Sequence, residues 1–288
     1  MRLYILISFI LFSLSLSGQH MMLAEGTQAA PPVGDLLLDD YPGAVAAYSL
    51  RELSTAWAGL DVIRVRESGS NTEQDFNAAE ITDGTLATFC GANDGFVVTW
   101  YDQSGQGNDA QQSTAANQPK IYDGTTGVVT ENGKPAIAFN TTDNTSLYNT
   151  FPSPLSQPNT LFFVDRKNNH NQYLFDGNGG SGRHAQGNGT WVFAGSVLLN
   201  AYPVSHLGSQ VLFTAIFNTT SSAMYIDGSN TASGDVGANS LPGLEIGTGI
   251  NFSRSMDGTI QEIIVYDSDA SSNRTGIESN INTYYSIY

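Results

Sequence analysis

The densest collection of ligand-type side chains lies in residues 168–191, NNHNQYLFDGNGGSGRHAQGNGTW. Asn171, Asp176, Asn178, Arg183, His184 and Trp191 fall there within two apolar runs and a glycine-rich connection. Amides, a carboxylate and a guanidinium read hydroxyl groups through directional hydrogen bonds, and an indole face stacks on C–H surface. That combination is the chemistry of sugar recognition, with Trp191 as the stacking residue; burial of Trp191 in a core is the competing reading. A second cluster, YDQSGQGND at residues 101–109, groups Asp102, Asn108 and Asp109 around two glycines. Hard oxygen ligands in a tight turn suit calcium, the one cofactor this sequence suggests. The spacing matches no complete calcium loop, and the favoured reading is a turn stabilised by its own side chains. Asp165, Asp176, Asp227, Glu245, Asp257 and Glu262 fall on or beside strand-like runs. Each reads first as a turn or solvent-facing residue and second as an acid or base. The four histidines, His20, His170, His184 and His206, share no metal-ligand spacing. Cys90 is the only cysteine, so no intramolecular disulfide is possible. It shares a helical face with Leu86 and Phe89 and reads as a small buried residue rather than a reactive thiol.

The elements that must position these groups are mostly strands. GFVVTWY (residues 95–101) is a run of β-branched and aromatic residues, and Asn132-Gly133 separates two apolar stretches as a hairpin turn does. Further runs occupy residues 160–165, 172–176, 190–199, 210–218, 222–228, 243–249 and 258–267. About a dozen short strands with polar turns predict two packed antiparallel sheets. Ile63 and Val65 alternate with Arg64 and Arg66, the pattern of an edge-like strand. Ser49 and Glu52 have capping-box spacing, with Leu50, Leu53 and Trp57 at helical intervals, which predicts a short helix ended by Gly59. Trp57 and Trp100 read as core. A terminal helix with Ile277, Ile281, Tyr284 and Tyr285 on one face is expected to pack back on the sheets.

Composition narrows the function classes. The 288 residues carry 11 Lys and Arg against 27 Asp and Glu, a formal charge of −16, with only 13% charged residues. Coiled coils and helical bundles need far more Glu, Lys, Leu and Arg. Fourteen Phe, 13 Tyr and 3 Trp are too many large apolar groups for a disordered chain. So few cations in an acidic chain exclude phosphate neutralisation, and with it a nucleic-acid partner. Residues 1–18 have the layout of a secretory signal peptide, one Arg before an apolar run and small residues, too short for a confident membrane span. Residues 19–34 read as a flexible tether and 35–288 as one domain, secreted or held at an extracellular surface, with no stable membrane span once the leader is removed.

The succession QVLFTAIFN, SAMYIDG, LEIGTG, MDGTIQEIIVYD and a closing helix resembles the concanavalin A-like lectin/glucanase superfamily, especially its laminin-G-like branch. That resemblance covers residues 159–288 and implies an all-β, two-sheet jelly-roll sandwich with short peripheral helices. STAWAGLDVIRVRE followed by FVVTWYDQSGQGNDAQQ is similar to the catalytic β-sandwich of the α-L-arabinofuranosidase B family. The family's nucleophile is a Glu just after a Phe-Asp-x-Gly-Asn segment; FDGNGGSG here puts Gly180 at or near its position. The family's acid is an Asp where GTGIN here has Ile250. A retaining glycosidase needs both carboxyls, so the resemblance implies the scaffold without that pair.

The expectation is therefore a secreted carbohydrate-binding or adhesion protein whose partner is a polysaccharide or cell-surface glycan. The alternatives are a glycoside hydrolase of the arabinofuranosidase type using relocated carboxylates, and a structural surface or virion protein.

Overall fold

The computed structural model describes residues 36–169, 171–178, 183–187, 191–195, 198–200, 206–249 and 254–288. The leader and tether expected over residues 1–34, together with Gly180 and Ile250, lie outside them. The described residues all belong to one compact unit. In chain order its strands are β1 (Ala44–Ser49), β2 (Asp61–Glu67), β3 (Glu73–Asn77), β4 (Gly95–Trp100), β5 (Ala110–Gln111), β6 (Lys120–Asp123) and β7 (Gly127–Val128). There follow β8 (Thr130–Glu131), β9 (Lys134–Pro135), β10 (Ile137–Phe139), β11 (Leu147–Tyr148), β12 (Asn159–Lys167), β13 (Gln172–Gly177) and β14 (Arg183–Gly187). The last are β15 (Trp191–Ala194), β16 (Leu198–Asn200), β17 (Gln210–Phe217), β18 (Ser222–Ile226), β19 (Ser229–Gly234), β20 (Leu244–Ile246) and β21 (Gly258–Tyr266). Among the described residues three short α-helices, α1 (Leu37–Asp40), α2 (Thr85–Cys90) and α3 (Arg274–Tyr285), lie at the periphery. None among the described residues is long and apolar enough to cross a membrane.

The protein is an all-β sandwich, and its strand pairs are antiparallel. A back sheet runs β19–β18–β17–β12–β21, and the far edge of β21 is shared by β1 and β10. A front sheet runs β3–β2–β4–β5–β11–β20–β13–β14–β15–β16. Strand β6 pairs with both β4 and β10 and so ties the two sheets together. At the hairpins, Asn132-Gly133 and Asp227-Gly228 both have two consecutive positive φ angles. Primed turns require that backbone, and it suits the right-handed twist of the flanking strands.

Alternate residues of β12 serve different cores. Leu161 and Phe163 enter the inter-sheet core, while Phe162 and Val164 enter a second cluster under α1 and α3. Strands β17 and β21 are also buried on both faces. This is why QVLFTAIF and IQEIIVY lack a polar alternation: no face of them meets water. Phe163 of the back sheet stacks on Phe175 of the front sheet, with centroids 5.3 Å apart and an interplanar angle of 3°. The C-terminal helix docks as expected, burying Ile277, Ile281 and Tyr285 against the outer face. Cys90 is also buried as expected, and burial, more than the nearby Glu67 and Asp94, pushes its thiol up to about 11.

Three local expectations are corrected. The helix signalled by Ser49 and Glu52 is absent, and only a single turn, Thr55–Trp57, is helical, of the 3-10 type. Ser49 ends β1 instead, and its hydroxyl donates to Glu262 at 2.8 Å. Gln103 replaces the helical bonds: its amide donates to the carbonyls of Ser49 and Arg51, and its carbonyl accepts from the Leu53 N–H. Strand β2 is not an edge, because β3 and β4 flank it. Its outward arginines are held locally: Arg64 pairs with Asp75, and Arg66 donates to Gln118 and Asn71 and lies over the Phe96 ring. Trp100 is fully buried, whereas Trp57 only half-covers the core and its indole N–H donates to the Asp61 carbonyl at 3.0 Å.

Candidate functional site

Residues directly opposite one another in a sheet share a face, so the register of the front sheet shows what its outer surface carries. Asp75 of β3 faces Arg64 of β2, which faces Thr99 of β4, which faces Gln111 of β5. Gln111 faces Tyr148 of β11, Tyr148 faces Glu245 of β20, and Glu245 faces Asp176 of β13. Asp176 in turn sits opposite the His184 position of β14. The inward neighbours in the same strands, among them Ile63, Trp100, Ala110, Leu147, Leu244 and Phe175, all belong to the inter-sheet core. The row therefore lies on the opposite, outward face. Near its middle a cleft of about 380 Å³ is lined by Gln112, Asn117, Tyr148, Asn178, Glu245 and Thr248, among others.

Within this row Tyr148 is the exposed aromatic, 42% accessible. Asp176 is almost covered, and its Oδ1 accepts the Gly177 N–H at 2.8 Å. Glu245 is half-buried beside it. Asn178 donates its amide to the Asn149 carbonyl at 2.8 Å and to the Thr150 hydroxyl, which clamps the end of β13 to the segment following β11. Tyr173, at the other end of β13, lies 5.6 Å beneath the Arg254 guanidinium. Burial raises the Tyr173 hydroxyl above its usual value; Arg254 opposes that rise and Asp176 adds to it.

The six residues expected to form one sugar site are divided by this arrangement. Asn178 lines the cleft; Asp176 does not, but it is the cross-strand neighbour of Glu245, which does. Asn171 occupies a left-handed turn (φ 58°) before β13, and a six-residue strand separates it from Asn178 by roughly 20 Å. It does not share the cleft. Trp191 pairs with Gln186 and Asn200, is half-buried, and keeps an indole N–H that is buried with no partner. It lies neither wholly in the core nor wholly on the surface. For Arg183 and His184 the described geometry is the register, opposite Ala194 and Asp176 respectively. Tyr148 and Gln111 escaped the sequence reading because β5 and β11 are two residues long and show no periodicity.

The other possible acids are engaged elsewhere. Glu262 is buried in a bidentate pair with Arg51, and Asp165 in a pair with Lys167. Asp227 accepts the Leu212 N–H from its hairpin turn, and Asp257 accepts from Asn168 and Asn169. Asp176 and Glu245 face each other across the β13–β20 pairing on the outward face.

The Asp102 turn behaves as a strut. Asp102 Oδ1 accepts the Ala47 and Ser104 N–H groups, and Oδ2 accepts the Ser104 hydroxyl and the Asn108 N–H, all within 2.9 Å. Asn108 donates to the Val45 carbonyl and accepts from the Tyr48 hydroxyl. Asp109 Oδ1 accepts the Asp102 N–H, and burial raises its carboxyl above the usual range. Four hydrogen bonds from donors converge on Asp102, so the turn is held by its own side chains. Among the described residues no group of three or more His, Cys, Asp or Glu is placed to hold a metal.

No protein-family model matches the chain, and none of the curated proteins matches it. The fold does have solved neighbours. A GH54 α-L-arabinofuranosidase soaked with a cyclic sulfate inhibitor superposes with a TM-score of 0.65 at 15% identity, covering 83% of this chain and 62% of that one. An arabinofuranosidase complexed with arabinofuranosyl-α-1,2-xylobiose superposes at 0.60 with 16% identity and the same coverage. The chain thus spans somewhat less than two thirds of these enzymes' length, and the likeness is one of fold.

Proposed function

We propose that this protein is a secreted carbohydrate-binding protein on a concanavalin A-like sandwich, and that the glycan lies on the outward face of the front sheet. The observation that carries this reading is the register that sets Tyr148 and Glu245, both lining the cleft, in one row with Asp176. Paired carboxylates accept hydrogen bonds from vicinal hydroxyls, and an exposed tyrosine ring offers a flat apolar surface to sugar C–H groups. The fold shared with enzymes whose structures hold arabinose-containing ligands supports the choice of ligand. Affinity electrophoresis through polysaccharide-containing gels tests it: retardation by at least one polysaccharide is expected, and Tyr148→Ala should lose most of it. Unretarded migration in every gel would refute the reading.

The same pair favours a second reading, glycoside hydrolysis by relocated carboxylates. Directly opposed residues have Cβ atoms about 4.5–5.5 Å apart, and a retaining glycosidase separates its carboxyls by about 5–5.5 Å. Asp176 and Glu245 would divide the roles of nucleophile and proton donor. Release of nitrophenol from 4-nitrophenyl α-L-arabinofuranoside, lost by at least a hundredfold in both Asp176→Asn and Glu245→Gln, would establish hydrolysis; activity surviving either change would exclude this pair.

A further inference from the structure

We infer that the protein carries a second carbohydrate-binding cleft on the outer face of the back sheet, so that one molecule holds two glycan segments on opposite sides of the sandwich. The ligand class rests on the reading of the front face, whereas the location rests on the back sheet alone. Ala138 of β10 pairs with Lys120 of β6 on one side and with Thr259 of β21 on the other, and Thr259 faces Arg166 of β12. Ile137, Phe139 and Ile260, which alternate with these residues, belong to the inter-sheet core. The row therefore lies on the outward face. The β8–β9 hairpin covers the adjoining part of that face, where the buried Gln261 amide donates to the carbonyls of Glu131, Lys134 and Pro135. Beside the hairpin a cleft of about 590 Å³ is lined by Lys120, Thr130, Ala138, Asn168, Asp257 and Thr259, among others. Its volume is in the range of pockets that enclose small organic ligands.

The lining joins two kinds of surface. Val128, Val129 and Ala138 are aliphatic and half-buried, a match for the C–H face of a sugar ring. The polar groups are set in place before any ligand arrives. Lys120 Nζ lies 2.8 Å from Asp94 and 3.1 Å from Asp123, so two of its three donors fix the ammonium. Asp257 accepts the Asn169 amide at 2.8 Å, and its own N–H donates to Gln172 at 2.9 Å. Groups already held lose little freedom on binding. Donors and acceptors mixed in this way suit hydroxyls, which are both, and the aliphatic side suits the ring that bears them. Packed sheets lie about 10 Å apart, and the two clefts open on the two outer surfaces, so one straight polymer segment cannot fill both. The back cleft takes a second segment, and a single molecule then bridges polymers and gains avidity from the pair.

Affinity electrophoresis of the full chain in gels of arabinan, arabinoxylan, β-glucan and galactomannan identifies a retaining polymer, and mixing protein with that polymer in solution reads cross-linking as turbidity. The native chain is expected to precipitate the polymer at intermediate ratios. Tyr148→Ala and Thr130→Trp should each abolish precipitation, yet each should keep some retardation, and the double variant should run as in a polymer-free gel. Thr130 is exposed, so the larger side chain obstructs the cleft without entering the core. Asn168→Ala, which only removes a lining amide, should lower the residual retardation of the Tyr148→Ala chain about threefold, the loss expected for one hydrogen bond. A Tyr148→Ala chain that already runs as in a polymer-free gel, or whose residual retardation ignores both Thr130→Trp and Asn168→Ala, would overturn the second cleft while leaving front-face binding intact. Absence of retention of the native chain on every polymer would instead overturn carbohydrate binding itself, and this ligand class with it.

Discussion

Asp75 accepts two hydrogen bonds from Arg64 and one from the Tyr101 hydroxyl at 2.6 Å. The Arg64 bonds, more than the opposing effect of partial burial, hold its carboxyl below the usual carboxylate range. A carboxyl whose folded-state value is depressed adds stability above the unfolded value near 3.9, and that stability disappears as pH falls through the folded value. Melting followed from pH 6 to pH 2.5 should therefore show a steeper fall below about pH 4 in the native chain than in Asp75→Asn. Identical acid limbs would remove Asp75 as a source of the pH dependence. The effect is small, because both side chains keep about a third of their surface in water. At this scale the sequence was partly legible. Asp176 and Glu245 stood out as acids on strand-like runs, but nothing local shows that two residues this far apart in the chain are cross-strand partners. Tyr148 had no signal at all, since a two-residue strand is too short for any period to register.

Helix α3 shows what an element can declare about itself. Ile277, Ile281 and Tyr285 recur every four residues, and all three are buried on the back sheet. Polar contacts fix its position as well: Thr214 of β17 donates to Glu278 at 2.8 Å, and Arg51 bridges Glu262 of β21 and Asn280 of the helix. Ile281→Ala should cost about 2–4 kcal/mol, read as a lower denaturation midpoint with an unchanged slope. A loss below about 0.5 kcal/mol would mean that the helix is only loosely docked. The segment after Ser49 shows the limit of such signals. Its apolar residues have helical spacing and Leu50 and Leu53 are indeed buried, yet Ser49 pairs with Glu262 in the sheet and Gln103 takes the backbone groups. Tertiary hydrogen bonds outweigh a propensity worth only tenths of a kcal/mol per residue.

Across the whole molecule, the central strands β12, β17 and β21 are buried on both faces, and the Phe163–Phe175 stack joins the two sheets through the core. Phe163→Ala removes the largest group from that contact and should cost about 3–5 kcal/mol; a cost under 1 kcal/mol, measured by equilibrium unfolding, would contradict the packing. The fold class was legible from composition and pattern because strand-rich burial, scarce charge and abundant turn residues are properties of the chain itself, independent of which strand meets which. The hairpins at Asn132-Gly133 and Asp227-Gly228 were legible for the same reason: both partners lie within a few residues of the turn. The site was not. Its row is assembled from β2, β4, β5, β11, β20 and β13, which are scattered through the chain, and a shift of one residue in any pairing would turn that strand's outward residues into the core. The amino-acid order alone determined that two antiparallel sheets would form around an aromatic core. Only the tertiary packing decided which polar residues became neighbours on the outer face, because cross-strand register is set by long-range burial and not by any local preference.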